Sequence, residues 1–124
     1  MQPTVTPFFH APTGTWTYVV SDPAGREAAV IDPVLDYDWR SGRTGTSSAD
    51  QVLAHLSSAG MRLRWILETH AHADHLSCAP YLQSRAGGHI AIGTGIRQVQ
   101  ATFKRIFGLG DEFVPDGRQF DRLL

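Results

Sequence analysis

His70, His72, Asp74 and His75 stand together in the segment Thr69-His70-Ala71-His72-Ala73-Asp74-His75. Imidazole nitrogen and carboxylate oxygen in one short stretch make a donor set for zinc, iron or manganese rather than for calcium, which takes oxygen ligands. In extended backbone, residues two apart project to one side. His70 and His72 can therefore close on one ion, while Asp74 and His75 arrive as the chain turns and can face a second point nearby. An ion there would lower the pKa of a bound water towards ~7, or keep an open position for substrate or dioxygen. The competing reading is a polar loop that happens to be histidine-rich. The chain has only six histidines in 124 residues, and this loop directly follows an apolar strand, where α/β proteins assemble their sites. The pattern is therefore read as a metal site.

The elements that must position this loop surround it in the sequence. Residues 16–20 are aromatic and β-branched and end at the turn sequence Ser21-Asp22-Pro23-Ala24-Gly25. Residues 27–31 form a second apolar strand stopped by Asp32-Pro33, which predicts a β-hairpin. The polar stretch 36–48, rich in Gly, Ser and Thr, reads as an ordered surface loop. Ser47 and Ser48, with Asp50 and Gln51 three residues on, offer capping-box starts for a helix. Val52, Leu53, Leu56 and Ala59 mark its apolar face, and Gly60 its stop. Residues 63–67 read as the buried strand that leads into the histidine cluster. A helix is expected to begin in or just after the cluster and to run to Ala86, with Pro80 in its first turn and Gly87-Gly88 ending it. Residues 89–92 form a short strand. Gly93-Thr94-Gly95 is a turn that lacks the third glycine of a dinucleotide loop. Ile96, Val99, Phe103, Ile106 and Phe107 make the apolar stripe of a last helix, read as core. No further strand is expected after Gly108. The order is β-β-α-β-α-β-α, a mixed α/β layer.

Composition bounds the rest. A mass of 13.6 kDa allows one domain, residues 1–124. The 42% hydrophobic and 19% charged content argues against disorder. A net charge of −1 supplies no electrostatic case for nucleic acid or an anionic membrane. The longest aliphatic run, Ala28 to Ile31, is far short of the ~18 residues that span a bilayer. Residues 1–7 contain no Lys or Arg, so no basic leader opens the chain. The single cysteine, Cys78, excludes an internal disulfide and suits a reducing compartment. The expectation is a cytoplasmic protein with neither nucleic acid nor membrane as partner. Cys78 is read as a small buried helix residue rather than a reactive thiol. His10, His55 and His89 are read as surface or structural groups. Asp36, Tyr37, Arg40 and Arg43 could line the mouth of a site but are read as a solvated loop.

The H-x-H-x-D-H spacing of residues 70–75 resembles the signature of the metallo-β-lactamase superfamily. Ala29-Val30-Ile31-Asp32-Pro33 resembles that family's first strand end, whose aspartate, here Asp32, supports the metal loop from behind the ligands. The stretch Asp32-Pro33-Val34-Leu35-Asp36-Tyr37-Asp38, continuing through Ser41-Gly42-Arg43-Thr44, narrows the likeness. Together with Ile66-Leu67-Glu68-Thr69-His70 and Asp74-His75-Leu76-Ser77, it looks like the persulfide dioxygenase branch, including its bacterial β-lactamase-like relatives in sulfide detoxification. The resemblance covers nearly the whole chain and implies the first half of an αββα sandwich, cut short on its C-terminal side. In dizinc relatives His70 and His72 would join a later histidine on one metal, with Asp74 and His75 on the other. In persulfide dioxygenases a single Fe(2+) would have His70 as its one ligand present here, with His72 and His75 orienting ligands and substrate. Asp74 is the carboxylate to which a catalytic role would fall. The implied activity is oxidation of a glutathione persulfide, a small thiol-derived substrate. The alternatives are a thioester hydrolase of the glyoxalase II kind with one or two Zn(2+), and an incomplete chain that catalyses nothing. The missing half further implies self-association or a complementary C-terminal half as partner, because the sheet face carrying Val19, Val30 and Ile66 would lack its covering sheet.

Overall fold

The computed structural model describes residues 2–124. Its strands are β1 (Thr4–His10), β2 (Thr15–Asp22), β3 (Glu27–Ile31), β4 (Val34–Asp38), β5 (Arg43–Gly45), β6 (Arg62–Glu68), β7 (Leu76–Ser77), β8 (His89–Ile92) and β9 (Arg122–Leu123). Its helices are α1 (Ser47–Ser58), α2 (Ala79–Ala86) and α3 (Ile96–Phe107). Six strands form one sheet in the order β1-β2-β3-β6-β8-β9. β1, β2 and β3 are an antiparallel meander, and β3, β6, β8 and β9 run parallel, with one helix in each connection. The predicted hairpin of residues 16–20 and 27–31 is β2–β3.

Two-residue alternation decides which side chains the helices cover. Val19 pairs with Val30, Val30 with Ile66, and Ile66 with Ile90, so one apolar row crosses four strands. Ala49, Val52 and Leu56 of α1, and Ala79 and Leu82 of α2, cluster with this row. That corrects the expectation of an uncovered Val19–Val30–Ile66 face, since all three residues are wholly buried. The face without a helical cover is the opposite one, where Tyr18, Ile31, Leu67 and Ala91 form the corresponding row and Phe9 and Trp16 pair at one end. Small and β-branched residues lie under the helices, joined by Phe8 against His55 of α1, whereas Phe9, Trp16 and Tyr18 lie on the other side.

Further expectations are corrected, among them that no strand follows Gly108, since β9 pairs in parallel with β8. The stretch 36–48 is not a plain loop: β4 and β5 form a hairpin, and β4 also pairs with β7. The predicted capping box does not form at α1. Instead the Ser48 backbone N–H donates to Asp36 Oδ2 at 2.9 Å, and Ser48 Oγ donates to Asp36 Oδ1 at 2.5 Å. The stripe on α3 is not core, because Phe103, Ile106 and Phe107 are exposed. α3 buries Ile96 and Gln100 instead. The Gln100 side chain accepts the Gly117 N–H and donates to Gln119, which ties the last segment to the helix. α2 starts at Ala79, just after the histidine cluster, and ends at Ala86 as expected, with Leu76 and Ser77 between them taken up by pairing with β4. Pro80 does fall in its first turn, where a missing N–H costs nothing. Gly87 and Gly88 end it at positive φ. No helix of the described residues is long and apolar enough to cross a membrane.

Candidate metal centre

The histidine loop is pinned at both ends. β6 delivers it, and β7 catches it by pairing with β4, helped by the Cys78 N–H donating to the Pro33 carbonyl at 3.2 Å. Asp32 reaches it from the end of β3 with a left-handed backbone, φ 52°, a conformation that Asp tolerates better than most residues. Its N–H donates to the Leu67 carbonyl at 2.9 Å, and its own carbonyl accepts from Thr17 Oγ1 at 2.9 Å. The carboxylate then faces the loop. Oδ1 accepts the Thr69 N–H at 2.8 Å and lies 2.9 Å from His72 Nε2, while Oδ2 accepts from Thr69 Oγ1 at 2.7 Å.

These partners assign the protons on the three rings. Thr69 commits its hydroxyl proton to Asp32, so at 2.7 Å it accepts from His70 Nδ1, leaving the lone pair on His70 Nε2. His72 Nε2 faces two carboxylates, Asp32 at 2.9 Å and Glu68 at 3.0 Å, so it carries the proton and Nδ1 has the lone pair. His75 Nδ1 donates to the Leu76 carbonyl at 2.9 Å, and its Nε2 is buried without any partner. The His72 ring lies 4.2 Å from both the His70 and the His75 rings, centre to centre. Three imidazoles thus stand together, each with one nitrogen free to bind.

Among the described residues, two sets each bring their ligand atoms within 4.8 Å of one another: His70, His72 and Asp74, and Asp32, Glu68 and His72. In the second set the carboxylates already hold His72, Thr69 and Ser77. The first set keeps one ring nitrogen open on each of His70 and His72 beside an exposed Asp74 carboxylate, and the orphaned His75 nitrogen adds another, so these residues fit a metal of the zinc or iron kind. The hydrogen bonds behind the rings are those that fix ligating histidines. A hydrogen bond from its own backbone amide, with help from Thr15 and the neighbouring histidines, holds Asp74 below the ordinary carboxylate range, so it stays ionised. Burial pushes Glu68 up, against the opposing pull of Ser77 and His72. A cavity of about 370 Å³ opens beside His70, His72 and His75, with mostly apolar walls that include Ile92, Ile96 and Phe120.

The other singled-out residues lie elsewhere. Asp36 accepts from Ser48 and pairs with His10, and with Tyr37 and Arg43 it borders a separate cleft. Arg40 is exposed and stacks on Trp39. His55 packs edge-on to Phe8 and His89 against Trp65. Cys78 is buried, and burial pushes its thiol up to about 12. Reasoning from sequence missed Glu68, Ser77 and Thr69, and also Thr15, which donates to Asp74 Oδ2 at 3.1 Å. One signal was available: strand alternation puts Glu68 in phase with Ile66, an acid on the buried face of a strand.

The family model for the metallo-beta-lactamase superfamily matches residues 10–122. The chain belongs to that superfamily. It is 54% identical over 121 residues to a probable metallo-hydrolase of Burkholderia pseudomallei, a match covering 98% of this chain and 41% of that protein. It is 42% identical over 112 residues to glyoxylase B2 of Dictyostelium discoideum, covering 90% and 38%. Against the mitochondrial persulfide dioxygenase ETHE1 of Homo sapiens it is 33% identical over 87 residues, covering 70% and 30%. Among solved structures, ETHE1 from Myxococcus xanthus superposes with a TM-score of 0.60 at 27% identity, covering 71% of this chain and 34% of that one. The mixed α/β fold is thus that of part of the superfamily's domain. The chain spans about two fifths or less of the curated relatives described.

Proposed function

We propose that this chain supplies the metal-holding histidine loop of an enzyme that oxidises glutathione persulfide to sulfite and thiol at a mononuclear iron. The observation that carries the reading is the open set of His70 Nε2, His72 Nδ1 and the Asp74 carboxylate, which departs from the set the resemblance implies, where His70 alone would ligate the iron and His72 would orient; two imidazoles and one carboxylate suit non-haem iron. The likeness to ETHE1 in sequence and fold supports it. Bound there, iron would offer open positions for the persulfide sulfur and dioxygen. The chain's own groups do the rest. Asp32 orients His70 through the Thr69 hydroxyl and His72 directly. Thr15 holds Asp74 from β2. The cavity beside the histidines has mostly apolar walls. Cys78 stays a protonated thiol at neutral pH and takes no part as a nucleophile.

A second reading, a thioester hydrolase with zinc, is favoured by the free Nε2 of His75, which with Asp74 could serve a second ion. The likeness to glyoxylase B2 and to the probable metallo-hydrolase points the same way. An oxygen electrode separates the two in a protein carrying this chain together with the remainder its relatives have. The first reading requires oxygen uptake and sulfite from glutathione persulfide. Thiol release from an acyl-glutathione without oxygen uptake would refute it in favour of the second.

A further inference from the structure

Glu68 occupies a position where its chemistry is costly. It sits on the helix-covered face of β6, in phase with Ile66, and its side chain is 5% exposed. A leucine there would meet the demands of the core, and a buried carboxylate is tolerated only when its oxygens are matched by donors. Both are matched. Oε1 accepts from Ser77 Oγ, and Oε2 lies 3.0 Å from His72 Nε2. Ser77 is itself locked, because its oxygen accepts the Ala79 N–H at the start of α2 at 3.1 Å. A chain of oriented groups therefore runs from the amide end of α2 through Ser77 and Glu68 to the His72 ring. Asp32 approaches the same nitrogen from the end of β3.

We infer that Glu68 is a positioning residue for the metal centre, holding the His72 ring jointly with Asp32 so that Nδ1, not Nε2, faces the ion. Asp32 alone would leave this hold uneven. Its Oδ1 is shared with the Thr69 N–H, and Oδ2 is taken by the Thr69 hydroxyl. Glu68 gives the Nε2 proton a second acceptor, anchored to a different element, and the two carboxylates together fix the ring plane. Hydrogen-bond partners behind ligating histidines typically change metal affinity about tenfold to hundredfold when removed. The inference rests on the reading of His72 as a ligand, and its test can fail separately from that reading.

The test uses the full chain, zinc alone as probe, and two readouts: zinc affinity by chelator competition, and the ring ¹⁵N shifts of His72 in metal-free protein. The wild type should show a single Nε2–H tautomer. Glu68→Leu fills the same space without an acceptor; it should populate both tautomers and weaken zinc about tenfold to hundredfold. Glu68→Gln can still accept from His72 through its oxygen while giving its NH₂ to Ser77, so it should keep the tautomer and most of the affinity. Ser77→Ala, which frees the Glu68 carboxylate without altering its charge, should shift both readouts partway, and it decides the matter if the leucine variant does not fold. A folded Glu68→Leu, or failing that a folded Ser77→Ala, with one tautomer and unchanged zinc affinity would overturn the inference. Wild-type protein that binds no zinc, with the tautomer still lost in Glu68→Leu, would demonstrate Glu68's hold on the ring while refuting the metal reading.

Discussion

At His70 the free nitrogen is left over after Thr69 has claimed the other, and at His75 after the Leu76 carbonyl has done so. The two rings differ in what they adjoin, since His70 lies with His72 and Asp74 in one tight set and His75 does not. His70→Ala should therefore remove most bound metal whatever the reaction. His75→Ala should cost a whole ion in a two-metal centre and little in a one-metal centre, and metal analysis of both variants distinguishes these outcomes. Ligating histidines must be neutral, so protons compete with metal as pH falls through the ordinary imidazole range near ~6.5. Asp74 is already ionised well below that range, so it adds nothing to the slope. Metal retention should drop between about pH 7.5 and about pH 5.5, and a flat profile would argue against imidazole ligation. Cys78 gives an independent check. A thiol pushed up to about 12 and buried at 2% exposure should resist alkylation at neutral pH until the protein is unfolded. Rapid stoichiometric labelling of folded protein would contradict the packing around it.

The start of α1 shows how an element can be legible in sequence while its support is not. Ser47 and Ser48 marked the helix start, yet the acceptor for the Ser48 amide is Asp36, contributed by β4. Burial pushes the Asp36 carboxyl up, but the hydrogen bonds from Ser48 and the pairing with His10 outweigh it and leave it below the ordinary value. A carboxylate depressed in the folded state stabilises above its unfolded pKa and loses that contribution as pH falls through the folded one. Asp36→Ala should therefore cost about 1 kcal/mol at neutral pH, the scale of a lost cap. The variant should also show a flatter loss of stability below about pH 4. Equal stability of variant and parent at pH 7 in urea titrations would remove Asp36 as the cap. The same limit explains the other differences. The hairpin, the strand before the histidines and the three helices followed from local pattern. β1 was missed because Pro7 interrupts a run that survives only as an edge strand, where a lost N–H is tolerated. β9 was missed because two residues, Arg122 and Leu123, carry no pattern until β8 pairs with them. In the candidate site, the gathering of His70, His72 and Asp74 was legible from spacing. Glu68, Thr69, Ser77 and Thr15 were not, because their roles lie in hydrogen bonds made only once β2, β6 and β7 are assembled.

At the scale of the molecule, two apolar surfaces are without a partner among the described residues. One is the sheet face opposite α1 and α2. There Phe9 and Trp16 pack at 4.7 Å and Trp16 and Tyr18 stack at 6.4 Å, centre to centre, while Val5, Phe9 and Trp16 remain about half exposed. The other is the outward stripe of α3, where Ile106 is 62% and Phe107 67% exposed. Contiguous apolar surface of this kind normally finds a partner or drives association. The β1–β2 face is the more demanding of the two, because its aromatic side chains form one continuous ladder across paired strands. The isolated chain should therefore self-associate, and light scattering should show mass rising with concentration. Phe9→Glu with Trp16→Lys places charge on that face without touching the Val19–Val30–Ile66 row. It should lower the association while leaving the unfolding midpoint nearly unchanged, because neither residue belongs to the helix-covered core. Ile106→Glu tests the α3 stripe in the same assay, and the smaller effect is expected there, since a lone helical stripe presents less contiguous surface than a sheet face. Co-expression with the remainder that the relatives possess should restore a monodisperse species and raise metal occupancy together, because the covering segment would bring both apolar contact and further ligands. A monodisperse monomer of the isolated chain at high concentration, with Phe9 and Trp16 intact, would show that the exposed ladder is tolerated by water and that no partner surface is required.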